Sequence, residues 1–178
     1  MSRFVLPLAG FIALAVVLAI GIKHAPEKGA IPSVLIGKPA PAFTLPVLSE
    51  GGRMVSSRDL RGRWYVLNVW GTWCATCREE HAFLLEIQRS GQIPVIGLDW
   101  KDDDAQARSY LQQLGNPYEI VAVDREGRTA IDYGVAAAPE SFLVNPQGVI
   151  VFKCIGALTP EVWQREFAPR LPRTASKS

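Results

Sequence analysis

The tightest constraint in this chain is a run of seven residues, 64–70, reading WYVLNVW, which passes directly into GTWCATCREEH. Nearly every side chain of the run is apolar, so no wet face can be assigned to it. A run this short reads as a strand covered on both sides. Such a strand needs a layer above and below, and the following sequence supplies them. Residues 75–90 have Phe83, Leu84 and Ile87 apolar at helical spacing, and IPVIGLDW is a second buried strand. Asp102 to Asp104 offer capping acids for a helix that carries Tyr110, Leu111 and Leu114 and stops at Gly115. YEIVAVD reads as a strand and GRTAIDYG as a short helix. ESFLV, the turn NPQG and VIVFKCI form a hairpin. TPEVWQREFAP makes a last helix, with Thr159 as cap and Pro160 at its first position. The expected fold is α/β, a mixed central sheet with helices on both faces.

The first residues bear on the compartment. Residues 4–22 carry no charge, and spanning a hydrocarbon core takes roughly 20 residues of helix. Arg3 precedes the run, and Lys23, Glu27 and Lys28 follow it. A cleaved signal peptide is the rival reading. Its apolar region is shorter, about 7–15 residues, and Ala19/Gly21 makes a poor cleavage pair, so a retained anchor is favoured. The chain then divides into an anchor over 1–23, a proline-rich tether over 24–35, one domain over 36–170 and a tail over 171–178. The domain is expected on the far side of a bacterial inner membrane, in the periplasm. A net charge of +2 gives no field that points to nucleic acid.

Three cysteines are too few to build a disulfide scaffold, which favours chemistry over a structural staple as the use of Cys74 and Cys77. The strand ends near Trp70 and the helix begins near Cys74, so Cys74 falls at a helix N-terminus and Cys77 one turn inside. The positive end of the helix and its unpaired N–H groups favour a thiolate at Cys74, which would attack while Cys77 resolves. Covalent haem attachment needs CxxCH, and position 78 is Arg. A metal clip remains open, because Cys77 and His81 lie i,i+4 on one helix face and with Cys74 would give three ligands.

LNVWGTWCATCREEH together with GVAAAPESFLV resembles the thioredoxin superfamily. With SVLIGKPAPAFTLP, GLDWKDDD and LGNPYEI, the chain is more closely similar to the CcmG/DsbE thiol:disulfide interchange proteins of cytochrome c maturation. The resemblance implies a thioredoxin-like fold and a redox-active disulfide, Cys74–Cys77, with no cofactor besides it. The implied partners are apocytochrome c or a maturation protein that carries it, and a transmembrane electron donor of the DsbD/CcdA type. It makes Cys74 the attacking thiol and Cys77 the resolving one. Pro139 becomes the cis proline opposite them, and Ala138 the residue whose backbone meets a substrate strand. Trp73 and Glu140 are implied to line the site. Many thioredoxins place a buried aspartate where this chain has Asn68, so Glu80 is expected to take the proton of Cys77 instead.

This chain departs from the family at Ala75, where a proline is common, at Ala136 and Ala137, and at Cys154. Strand alternation places Cys154 with Ile150 and Phe152, as a buried inert thiol. His81 is expected to be partly exposed, Lys101 and Asp102 to serve capping and solubility, and Glu79 to complement the helix N-terminus. Two alternatives stay open: a TlpA/ResA-type reductase with another client, and a metal-binding chaperone using Cys74, Cys77 and His81.

Overall fold

The computed structural model describes residues 7, 10–12, 14–18, 34–48 and 51–172. Two units divide the chain, Met1–Ile31 and Pro32–Ser178. In the first, the described residues are helical, and Phe11, Ile12, Leu14, Val16, Val17 and Leu18 are exposed. Among the described residues no helix is long and apolar enough to cross a membrane. The anchor expected over 1–23 and the tether over 24–35 fall largely outside the described residues, as does most of the tail.

The second unit is built on a five-stranded sheet. Its strands are β3 (Tyr65–Trp70), β4 (Val95–Trp100), β5 (Ile120–Asp124), β6 (Glu140–Val144) and β7 (Ile150–Ile155), in the spatial order β5-β4-β3-β6-β7. The first three are parallel, and β6 and β7 run antiparallel, which makes the sheet mixed. A separate antiparallel pair, β1 (Thr44–Pro46) and β2 (Met54–Ser56), was not legible in the proline-rich sequence around it. Pro46 lacks an N–H to give to a ladder, and it is tolerated because it ends a short edge strand.

Strand β3 is buried at all six positions. Tyr65, Leu67 and Val69 enter one apolar cluster with Ile96, Leu98, Ala122 and Phe142. Val66 and Trp70 enter the other with Leu84, Tyr110, Tyr118, Trp163 and Phe167. Three helical elements cover that second face: α1 (Ala75–Ser90), α2 (Asp104–Leu114), and a C-terminal segment that begins as α-helix at Pro160–Val162 and widens to a π-turn over Trp163–Phe167. Helix α3 (Arg128–Asp132) and the segment carrying Phe43, Val55 and Leu60 cover the first. The caps follow the sequence, with Asp103 accepting from the N–H groups of Ala105 and Gln106, and Thr159 from that of Val162.

One expectation fails on β7. The ladder shifts register between Leu143 and Val144, which pair with Phe152 and Ile150 respectively, so Val151 is an extra residue. This bulge puts Ile150 in the opposite cluster from Phe152 and Cys154, because inserting one residue inverts the alternation.

The packing around Trp70 constrains β4. Its indole stacks on Tyr118 at 5.3 Å between centroids, and a Cβ at Gly97 would lie 2.9 Å from both Trp70 Nε1 and the Tyr118 ring. Gly97→Ala is expected to cost about 1–3 kcal/mol through overpacking, read as a lower urea midpoint with an unchanged slope.

Candidate active site

Helix α1 starts where β3 delivers it. Cys74 is the N-cap, in extended conformation, and Ala75 is the first helical residue. The N–H of Cys77 donates to Cys74 Sγ at 3.1 Å, which is the donor geometry that holds a thiolate when the pair is reduced. Here the two sulfurs are joined in a disulfide, with Cα atoms 5.3 Å apart. Both are buried, Cys74 at 7% exposure and Cys77 at 4%. The approach to the disulfide is marked by Trp73, which is half exposed, donates its indole N–H to the Trp100 carbonyl at 3.1 Å and sits edge-on to the Trp100 ring. Gly71 permits this, since a Cβ there would meet Trp73 Nε1 at 2.5 Å.

The sheet register brings the proline loop to the same end. Val69 pairs with Glu140, so Pro139 lies level with Trp70, from which the cysteine turn departs. The Ala138–Pro139 bond is cis. Ala138 packs against the cluster that contains both cysteines, while Ala136 and Ala137 are exposed. Glu140 is fully buried and anchors the loop. Its carboxylate pairs with Lys153 Nζ at 2.7 Å and accepts the Ala136 N–H at 3.1 Å, while Lys153 also donates to the Gly134 carbonyl at 2.8 Å. Lys153 is itself buried, so this ion pair is poorly screened.

Glu80 is buried on the inner face of α1. Its Oε1 accepts from Asn68 Nδ2 at 2.8 Å, and its Oε2 accepts the N–H of Leu158. The Asn68 amide also donates to Ser141 Oγ at 3.0 Å, and its Oδ1 accepts from the Tyr118 hydroxyl at 2.9 Å. Burial pushes the Glu80 carboxyl up to about 7, against the opposing pull of the Leu158 and Asn68 donors. A group at that position takes and returns a proton near neutral pH with little driving force lost. Asn68, Ser141 and Tyr118 were not expected to form this network. The signal was present in a lone carboxamide inside an apolar strand, which needs buried partners.

His81 is buried rather than partly exposed. It is turned toward α2, donates Nε2–H to the Gly115 carbonyl at 3.0 Å and stands edge-on to Tyr110, and burial lowers its pKa. The candidate metal ligands Cys74, Cys77 and His81 are thus engaged in other bonds, and no cluster of three possible ligands gathers among the described residues. Glu79 is exposed in the second turn of α1, whose first turn holds no acid, so it does not complement the N-terminus as expected. Cys154 is buried, and burial, then the neighbouring Glu80 charge, pushes its thiol up to about 11. It stays protonated at neutral pH. Asp102, expected only as a capping or solubility residue, binds Thr72 in the turn before Trp73.

Residues 35–166 match the Redoxin family. The DsbE of Escherichia coli is 41% identical over 175 residues, covering 95% of this chain and 94% of that protein. The chain belongs to the DsbE family of thiol:disulfide interchange proteins. A probable DsbE-2 of Pasteurella multocida is 43% identical over 164 residues, covering 92% of this chain and 85% of its own. Among solved structures, a putative DsbE from Chlorobium tepidum aligns with a TM-score of 0.63 at 27% identity, over 74% of this chain and 92% of its own. Membership of the DsbE family and the Cys74–Cys77 pair make the protein a thiol:disulfide oxidoreductase with a thioredoxin-like fold.

Two measurements test this site. Folding raises the Glu80 pKa from 4.5 to about 7, so the native state holds the extra proton and stability falls as pH rises through that window. Glu80→Gln is expected to flatten this fall by about 3 kcal/mol, leaving the fall that Asp99, whose carboxyl is raised to about 8, contributes over the same range, as read from urea midpoints between pH 4.5 and 8. Lys153→Met strands a buried carboxylate and is expected to destabilise by about 3–5 kcal/mol. Adding Glu140→Gln should recover most of that loss.

Proposed function

We propose that this protein is a membrane-anchored periplasmic reductase of cytochrome c maturation. In this reading it reduces a disulfide in apocytochrome c, or in the maturation protein that carries it, and is itself re-reduced by a transmembrane donor of the DsbD/CcdA type. The observation that carries the reading is the pairing of a helix-capping Cys74 with a buried carboxyl, Glu80, poised near pH 7 one turn beyond Cys77. Similarity to DsbE proteins over nearly the whole chain supports the client, and the uncharged run of residues 4–22 supports the anchor.

The exchange starts from the reduced pair. The Cys74 thiolate attacks a disulfide of the client, forming a Cys74–client bond and releasing one client sulfur as a thiolate, which is then protonated. Glu80, in its ionised form, takes the proton of the Cys77 thiol. The Cys77 thiolate attacks Cys74 Sγ, closes the Cys74–Cys77 disulfide and expels the second client sulfur. Two electrons pass to the client, and Glu80 gives up its proton as the second client thiol forms. Pro139 and Ala138 stand beside the sulfurs, where an extended client segment would lie along the Ala138 backbone. Trp73 and Glu140 complete the wall, one exposed to the client and one holding the loop from behind.

The equilibrium potential of the Cys74–Cys77 couple tests the direction. A reductase is expected well below the roughly −180 mV of protein disulfide isomerase, and a value near the roughly −120 mV of a disulfide donor would overturn the reading. Cys77→Ser should accumulate a mixed disulfide through Cys74 with apocytochrome c. A trap that instead captures a copper-site protein would favour the TlpA/ResA-type client.

A further inference from the structure

The cysteine turn rests on a second pair of acids that the exchange chemistry above does not use. Asp99 lies on β4, opposite Trp70 in the ladder, and is fully buried. Neither of its carboxyl oxygens meets an N–H or O–H donor. The Tyr118 hydroxyl is committed to Asn68 and the Arg125 guanidinium to Asp104, and the Trp70 indole N–H, itself unpartnered, does not bond Asp99. The acid beside it is the Asp102 carboxyl, which holds Thr72, two residues beyond the Trp70 that Asp99 faces. Two carboxyl groups bond to each other only through a proton held between them.

Asp102 is brought back over the sheet end by Lys101, which adopts a left-handed conformation at φ 52°. Its Oδ2 accepts the Thr72 N–H, and its Oδ1 accepts the Thr72 hydroxyl at 2.8 Å and the Asp103 N–H at 2.8 Å. On the other side of the same turn, the Cys74 N–H closes on the Gly71 carbonyl at 3.1 Å. The segment from Gly71 to Cys74 is therefore fixed by one backbone bond, by the Trp73 indole on the Trp100 carbonyl, and by Asp102.

We propose that Asp99 is a positioning residue for the disulfide exchange: its proton, shared with Asp102, holds Asp102 on Thr72 and so sets the turn that presents Cys74. Losing that proton places two carboxylates side by side in a dry site. Asp104 adds to the repulsion, Arg125 opposes it, and the buried Tyr118 offers no relief. Asp102, the less buried of the two, then leaves Thr72. Burial and the neighbouring acids push the Asp99 carboxyl up to about 8, so the turn is held at neutral pH and released above it.

The test uses the oxidised protein, in which neither Cys74 nor Cys77 titrates, and follows the Thr72 amide by NMR between pH 6 and 10. In the natural sequence this amide is expected to move upfield in one step centred near pH 8. Asp99→Asn, whose amide donates to Asp102 without titrating, should hold the downfield position throughout. Asp99→Leu, which cannot place a second carboxylate beside Asp102, should likewise show no step. Repeating the titration with Glu80→Gln removes the other raised acid from the profile. The same step should appear in the pH profile of Cys74 alkylation in Cys77→Ser, and vanish when Asp99→Asn is added. A Thr72 amide without a step in the natural sequence, a step that survives Asp99→Asn, or alkylation profiles that coincide with and without that substitution would each overturn the proposal.

Discussion

The site depends on the burial of a carboxyl, Glu80, against a strand that is otherwise apolar. A carboxylate moved out of water must find donors or surrender its charge. Strand β3 supplies one donor through Asn68, and the segment leading to the C-terminal helix supplies another through the Leu158 N–H. These stabilise the ionised form but do not outweigh desolvation, and the carboxyl settles near neutrality. An aspartate at position 68 would put a second acid against Glu80, whereas the carboxamide donates to Glu80 and Ser141 and accepts from Tyr118. The identity of residue 68 therefore decides which of the two positions is the acid.

Three buried acids at one end of the sheet illustrate how environment separates identical chemistry. Glu140 has a cation at 2.7 Å, Glu80 has neutral donors, and Asp99 has another carboxyl. The cation lets Glu140 serve as a fixed tie between β7 and the loop before Pro139. Neutral donors leave Glu80 free to exchange a proton. A second carboxyl makes Asp99 dependent on keeping one. Pairing with a charge gives structure, and the lack of one gives a titrating group.

Much of this was legible in the sequence, for reasons of local physics. The burial of residues 65–70, the helix from Ala75 and the caps at Asp103 and Thr159 follow from periodicity and from side chains that satisfy orphan N–H groups. The cysteine pair was placed correctly because a strand-to-helix junction fixes it. What sequence could not give were pairings made across long separations. The β1–β2 pair lies in a proline-rich stretch with no alternation, and the bulge at Val151 depends on the register of β6. Lys153 reads as a surface charge until β6 brings Glu140 beside it. His81 reads as partly exposed until α2 closes over it. Asp99 carried a warning, as an acid inside GLDW, but its partner comes from a turn whose left-handed residue, Lys101, has no sequence signature.

The arrangement also divides tuning from recognition. Glu80, Asp99, Asn68, Glu140 and Lys153 are all buried, so a client touches none of them. What faces outward around the disulfide is small or flat: half-exposed Trp73, Ala75 at the first helical position, and Ala136 and Ala137 on the opposing loop. The sulfurs themselves lie below that surface, and a client disulfide must be brought in to reach Cys74. Substitution of an outward residue such as Ala137 thus alters which chains can approach, with the proton chemistry beneath unchanged. Substitution at Asn68 or Glu80 alters the proton chemistry while leaving the contact surface as it was. Ala75 alone belongs to both layers, since it is exposed to a client and also forms the first turn whose N–H groups bear on the Cys74 sulfur.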